Sequence, residues 1–154
     1  MKRYVWENRD VCCPKVSLHD CSFNKVVIAD NRLSLFLDDE ISNLPDMPAE
    51  ILSEVREERP VISVNSCDAN DITCYIVHRY APLHRPLRVS IGVDILSIQK
   101  KMLKGVKLEL IDEFYTDNQI YWRFCLKPYK KHGLSDELEI KIAQFETVEY
   151  IICI

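Results

Sequence analysis

The stretch KLELIDEFYTDNQIYWRFCLK, residues 107–127, carries the clearest structural pattern in this chain. Apolar side chains alternate with polar ones along most of both sides of Asp117-Asn118, and Asp and Asn tolerate the left-handed backbone that a tight turn requires. This alternation predicts a β-hairpin with one buried face. The residues assigned to that face are Leu108, Leu110, Phe114, Ile120, Trp122, Phe124 and Leu126.

The same turn chemistry predicts a second hairpin near the start of the chain, where FNKVVIA (23–29) and RLSLFL (32–37) flank Asp30-Asn31. The remaining apolar runs predict further strands. These are single strands at 60–66, 72–80 and 86–93, and a third pair at 138–143 and 148–154. The last strand is apolar on both faces, which is typical of a strand inside a sheet.

Two helices are predicted. The first runs from a cap at Asp94 to about Lys104, and lysines near its end complement the helix dipole. Its apolar stripe is assigned to Ile91, Ile95, Ile98 and Met102. The second helix is predicted over about 48–58, with Pro60 ending it.

These elements predict a mainly β (α+β) fold in a single domain, residues 1–154. An antiparallel meander would curl into a barrel or a sandwich, with one or two short helices packed on it. A chain of 154 residues should bury roughly 70% of its unfolded surface, so it needs neither a disulfide nor a metal to fold.

Composition points to a cytoplasmic protein. The N-terminus has no apolar segment of the kind that directs secretion, and no apolar run is long enough to cross a bilayer. The cysteines are odd in number, seven in all, and several sit in apolar runs, which is typical of reduced, buried thiols. The net charge of −4 argues against nucleic acid as a partner.

Charge is segregated along the chain. Residues 38–59 hold eight acids and two bases, whereas residues 78–107 hold seven bases and one acid. One interpretation is two solvated faces that attract each other. The other is a charged docking surface that steers a partner of opposite sign.

The sequence lacks the loops that many enzymes need. The chain has only three glycines, well separated, whereas loops that cradle phosphates need several together. We therefore predict no cofactor. Whether the chain is an enzyme stays open, with the balance against catalysis.

Cys12, Cys13, His19 and Cys21 form the one cluster that resembles a metal site. Their spacing lacks the paired motifs of zinc sites, and adjacent cysteines rarely share one tetrahedral ion. A structural role is favoured, with His19 near a turn and Cys21 buried; the alternatives are metal or redox chemistry and, least favoured, catalysis.

Candidate partner-binding residues fall in two places. Arg79, Tyr80, Arg85 and Arg88 surround a proline-containing segment. A solvated connecting loop is favoured there, with a protein-binding loop and then an anion or nucleic-acid site as the alternatives. Tyr121 and Arg123 share the face opposite Trp122, with Tyr115 near them. Tyrosine and arginine together are typical of binding hot spots, although cross-strand packing explains them nearly as well.

Leu18-His19-Asp20-Cys21 and the following FNKVVIADNRLSLFLD resemble the opening of a group of small, uncharacterised β-rich bacterial proteins. The resemblance covers about 20 residues. It implies a bacterial source and a β-rich fold, and it carries no activity to any residue.

The leading functional hypothesis is a non-catalytic protein-interaction module, of the kind of small immunity proteins that neutralise a partner protein. The alternative is a β-barrel that binds a small ligand, or a small enzyme, with a pocket lined by Tyr, His and Arg.

Overall fold

The computed structural model describes residues 3–8, 18–38, 60–65, 67–80, 87–116, 118–127 and 136–153. Ten strands and one helix lie within them. The strands are β1 (Arg3–Asn8), β2 (Ser22–Ala29), β3 (Arg32–Leu37), β4 (Val61–Asn65), β5 (Ile72–Tyr80), β6 (Leu87–Val93), β7 (Lys107–Tyr115), β8 (Ile120–Lys127), β9 (Glu137–Ile142) and β10 (Thr147–Cys153), and the helix is α1 (Ile95–Met102).

The strands form a single antiparallel sheet in the order β1-β10-β4-β3-β2-β7-β8-β9-β5-β6. Two three-stranded meanders, β4-β3-β2 and β7-β8-β9, lie side by side and meet at β2 and β7. The mainly β prediction and the pairing of both predicted hairpins are confirmed, while Asp117 of the second turn lies outside the described residues. Asp30 and Asn31 have φ of 52° and 54°, the double left-handed geometry that matches the twist of hairpin strands. Strand β1 was not predicted.

The predicted pairing of the last two strands is wrong. β9 lies between β8 and β5, whereas β10 lies between β1 and β4 in the other half of the sheet. The short link between them crosses over, since Ala143 N–H donates to Asp71 O and Glu146 N–H donates to Asn65 O. β10 therefore has a hydrogen-bonding strand along each edge, which agrees with its prediction as a strand inside the sheet.

The sheet folds over on itself around one core. Inner-face side chains from distant strands, such as Leu35 of β3, Tyr150 of β10, Trp122 of β8 and Ile76 of β5, belong to the same buried cluster. Helix α1 contacts both β2 and β5. The pairing order runs from β1 to β6 without closing among the described strands, so the architecture is sandwich-like rather than a closed barrel.

Helix α1 matches its prediction closely. The Asp94 carboxylate accepts the Ser97 N–H at 2.7 Å, which is a normal helix cap, and Gly105 has a φ of 89° just beyond the helix. Ile95, Ile98 and Met102 are buried. The assignment of Ile91 to this stripe is wrong, because Ile91 lies in β6 and is half exposed. The second predicted helix lies outside the described residues.

A bulge in β7 overturns the assignment of Phe114 to the buried face. The register with β8 shifts between Leu110 and Asp112, so Ile111 is an extra residue that reverses the facing of every later side chain. Phe114 therefore points outward and is 62% exposed, while Tyr115 points inward instead of lying near Tyr121.

In the described part of the chain, no helix is long and apolar enough to cross a membrane.

Candidate functional site

The predicted partner-binding residues that the structure describes lie together on the outer face of the sheet, the face away from the core. Arg79 is on β5, Arg88 on β6, and Tyr121 and Arg123 on β8, and β9 lies between β8 and β5. The side chain of Tyr80 and all of Arg85 lie outside the described residues. The sheet thus joins residues that are up to 44 positions apart in sequence.

The arginines on this face are neutralised by neighbouring acids. Arg79 and Arg88 stand directly opposite each other, an arrangement that would be repulsive without counter-charges. Each has a carboxylate on β9, and Arg123 has one on β7. The pairs are Arg79 with Glu137, Arg88 with Glu139 and Arg123 with Asp112. The positive charges of these three arginines are therefore balanced by neighbouring carboxylates, so this face is not a positive patch.

A groove of about 640 Å³ crosses this outer face at the end nearest the β7–β8 turn. We call it the aromatic groove. Its walls include Thr73, Arg88, Phe114, Tyr121, Glu139 and Lys141. Phe114 and Tyr121 are opposite each other on β7 and β8, and their ring centroids are 6.0 Å apart with a 43° tilt.

Lys141 and Glu139 lie beside the Tyr121 ring and hydroxyl in the groove. The Lys141 ammonium lies 5.8 Å from the centre of the Tyr121 ring, within cation–π range. Burial, and then the Glu139 carboxylate, raise the pKa of Tyr121 above its ordinary value. Its hydroxyl therefore remains a hydrogen-bond donor at neutral pH.

Sequence reasoning missed Phe114, Lys141 and Glu139 as groove residues. Phe114 was hidden by the bulge at Ile111. Lys141 and Glu139 were visible as the polar positions of an alternating strand, but only the pairing of β9 between β8 and β5 brings them beside Tyr121 and Arg88.

A second polar cluster lies on the inner face of the sheet. Trp122 Nε1–H donates to the Tyr115 hydroxyl at 3.1 Å, which in turn donates to Glu113 Oε2 at 2.7 Å. The other oxygen of Glu113 accepts the Leu18 N–H at 2.8 Å. The buried Tyr150 hydroxyl also interacts with Tyr115 and Glu113, although it forms no well-oriented hydrogen bond with a described residue.

The Leu18-His19-Asp20-Cys21 segment is a turn clamped onto this cluster. Leu18 and Cys21 are buried, whereas His19 and Asp20 are exposed. His19 Nδ1 lies 3.0 Å from Asp20 Oδ2. Asp20 adopts a left-handed φ of 65°, and its N–H donates to Leu110 O beside the β7 bulge. Cys12 and Cys13 lie outside the described residues. Among the residues that are described, no group of three His, Cys, Asp or Glu side chains is placed to hold a metal ion.

Two buried cysteines are poor nucleophiles. Burial raises the pKa of Cys67 to about 11 and that of Cys74 to about 12, so both are thiols rather than thiolates at neutral pH. His78 Nδ1 lies 2.7 Å from Asp136 Oδ1. Cys74 and His78 are four residues apart on the same strand, about 13 Å, which is far beyond hydrogen-bond reach.

The buried thiols and phenols predict a loss of stability at high pH. Burial raises the pKa of Cys67, Cys74, Tyr115 and Tyr150 above their ordinary values of 9.0 and 10.0. The unfolded chain loses the thiol protons above about pH 9 and the phenol protons above about pH 10, whereas the folded chain keeps them. The free energy of unfolding therefore falls by up to about 1.4 kcal/mol per pH unit for each group once it is ionised in the unfolded chain.

Urea unfolding between pH 8 and pH 11 tests this prediction. Above pH 10, we expect the free energy of unfolding of Tyr150→Phe to fall less steeply with pH than that of the wild type, by the contribution of one group. At pH 7.5 the variant should lose little stability, because the Tyr150 hydroxyl lacks a well-oriented partner. Stability that is constant or rises from pH 9 to pH 11 would contradict the burial of these groups.

Comparisons of this chain with protein-family models, with curated proteins and with solved structures found no match. Function must therefore be argued from the sheet and its surfaces.

Proposed function

We propose that this chain is a non-catalytic protein-interaction module, and that the aromatic groove receives an apolar side chain from an acidic loop of a partner protein. The observation that carries the proposal is the exposed ring of Phe114 beside the half-buried ring of Tyr121, with Arg88 and Lys141 next to them. Aromatic and arginine side chains that surround a partly desolvated pocket are the commonest anchors of protein interfaces.

The rigidity of the groove favours binding. Phe114 and Tyr121 stand on paired strands, and the guanidinium of Arg88 is held by Glu139. Fewer side-chain rotamers therefore need to be frozen when a partner arrives, so more of the contact energy is available for affinity. A lone exposed phenylalanine would carry little meaning, whereas this one is part of a preformed concave site.

Charge indicates the chemistry of the partner. The arginines of the outer face already have carboxylate partners, whereas the Lys141 ammonium contacts a ring and no described carboxylate. A carboxylate on the partner would complement Lys141 across the groove. The basic segment, residues 78–107, could also attract an acidic partner. Its support is partial, because Lys107 at the end of this segment is paired with Asp38 at the start of the acidic segment, residues 38–59.

The biological role that we propose is neutralisation of the partner, as small bacterial immunity proteins do. The small size of the chain, its lack of glycine-rich cofactor loops and its rigid aromatic site support this role. It also agrees with the bacterial resemblance of residues 18–38.

A photo-crosslinking experiment tests the proposed site. A benzophenone amino acid at position 114 is expected to form an adduct with one protein in cells. The same probe at Leu103, which is 74% exposed at the end of α1, serves as the matched control and is expected to give none.

Competition makes the result specific to the groove. An excess of unlabelled wild-type chain, or of Leu103→Ala, should suppress the adduct, whereas Tyr121→Ala should not. If Tyr121→Ala competes as well as the wild type, the groove is not the docking site.

A small ligand in the same groove is the second candidate, because its volume falls in the range of ligand sites and Tyr121 and Arg88 line it. This would be a surface site rather than the interior of a barrel. A small anionic compound that raises the melting temperature of the wild type but not of Tyr121→Ala would favour this candidate.

A further inference from the structure

Strand β6 forms one end of the sheet, and no strand of the described residues pairs with its outer edge. It pairs with β5 in seven consecutive pairs and with no other described strand. Residues 88–92 are all exposed. Val89 and Ile91 extend the inner face, opposite His78 and Ile76 of β5, yet they are 38% and 49% exposed.

This edge lacks the usual protection against strand pairing. Edge strands of monomers commonly carry an inward-pointing charge, a bulge or a proline inside the strand. In β6 the inner-face residues Val89, Ile91 and Val93 are aliphatic, the pairing with β5 is regular, and the strand sequence contains no proline. The one charge, that of Arg88, is on the outer face and is bound to Glu139.

We propose that two copies of this chain associate through β6, edge to edge and antiparallel, with Ser90 opposite Ser90 on the two-fold axis. Paired residues in an antiparallel sheet must face the same side, which restricts the choices of centre. A centre at Ser90 pairs all seven residues of the strand, whereas a centre at Val89 or Ile91 pairs five.

The strand is self-complementary in this register. Val89 lies opposite Ile91 of the second copy, so four aliphatic side chains form one strip that continues the inner face. Arg88 lies opposite Gly92, which has no side chain to obstruct it. Arg88 carries the only charge among the seven paired residues, and it does not lie opposite Arg88 of the second copy, so the two-fold places no like charges directly opposite each other.

Sedimentation velocity measures the association. The wild type is expected to sediment as a species of twice the 18.0 kDa chain mass. Ile91→Lys should raise the dimer dissociation constant by about 100-fold, because two ammonium groups would enter the apolar strip. Leu103→Lys places the same charge on an exposed apolar residue away from β6 and should leave the dimer intact.

A cross-link tests the register. Oxidised Ser90→Cys should yield a disulfide between the two copies at position 90, identified by peptide mapping, and circular dichroism confirms that both variants fold. A monomeric wild type would overturn the proposal and leave this edge to a strand from another protein. A dimer that persists in Ile91→Lys, or a Ser90→Cys dimer that forms no disulfide across the two-fold axis, would overturn it equally.

Discussion

Replacing Trp122 by alanine is expected to lower the free energy of unfolding by about 3–5 kcal/mol. Trp122 is fully buried and stands edge-on to Phe124, with ring centroids 6.3 Å apart. Its removal leaves a cavity at the centre of the inner face and takes the Nε1–H donor from the Tyr115 hydroxyl. Both the cavity and the lost hydrogen bond lie on the inner face of the sheet.

The neighbouring residue provides the matched control. Tyr121 is as near in sequence as possible but lies on the outer face, so Tyr121→Ala should cost about 1 kcal/mol or less. Urea unfolding of the two variants at neutral pH makes the comparison. Equal losses would contradict the alternation of β8, and with it the assignment of the inner and outer faces.

Glu113→Ala is expected to cost about 2–4 kcal/mol, which is large for the removal of an acid. The carboxylate accepts the Leu18 N–H and the Tyr115 hydroxyl, and both donors would lose this acceptor in the interior. The Leu18–Cys21 turn would lose one of its attachments to β7. We therefore expect faster hydrogen exchange at this turn as well as lower global stability.

Glu109 on the same strand is the control for Glu113. It precedes the bulge, faces outward and pairs with Lys127 Nζ at 2.7 Å, and a surface pair of this kind contributes at most about 1 kcal/mol. Glu109→Ala should therefore be mild. If the two glutamates prove equivalent, Glu113 does not hold the inner cluster together.

The bulge at Ile111 marks the limit of prediction from periodicity. Alternation over 107–127 correctly predicts the hairpin and the whole inner face of β8. If the same alternation continued beyond Leu110 without a shift, however, the charged side chain of Asp112 would lie in the core. The bulge turns Asp112 outward to Arg123, and the inward Glu113 is then satisfied by Leu18 and Tyr115. Adjacent Leu110 and Ile111 were the local sign of this shift.

Pairing between distant strands was the other limit. Hydrophobic alternation shows which face of a strand is buried but not which strand lies beside it, so it could not place β10 between β1 and β4. The groove depends on the same information. Arg88 and Tyr121 were identified by residue type, whereas Lys141 and Glu139 joined them only through the position of β9 between β8 and β5.

The proposed function requires that the Phe114–Tyr121 pair anchor a protein partner. Calorimetric titration of the protein captured at position 114 measures this requirement. We predict that Tyr121→Ala raises the dissociation constant by about 30-fold or more, the effect of losing a hot-spot side chain, while Leu103→Ala stays within about twofold. A Tyr121→Ala variant that is folded and binds the partner as tightly as the wild type would contradict the proposal.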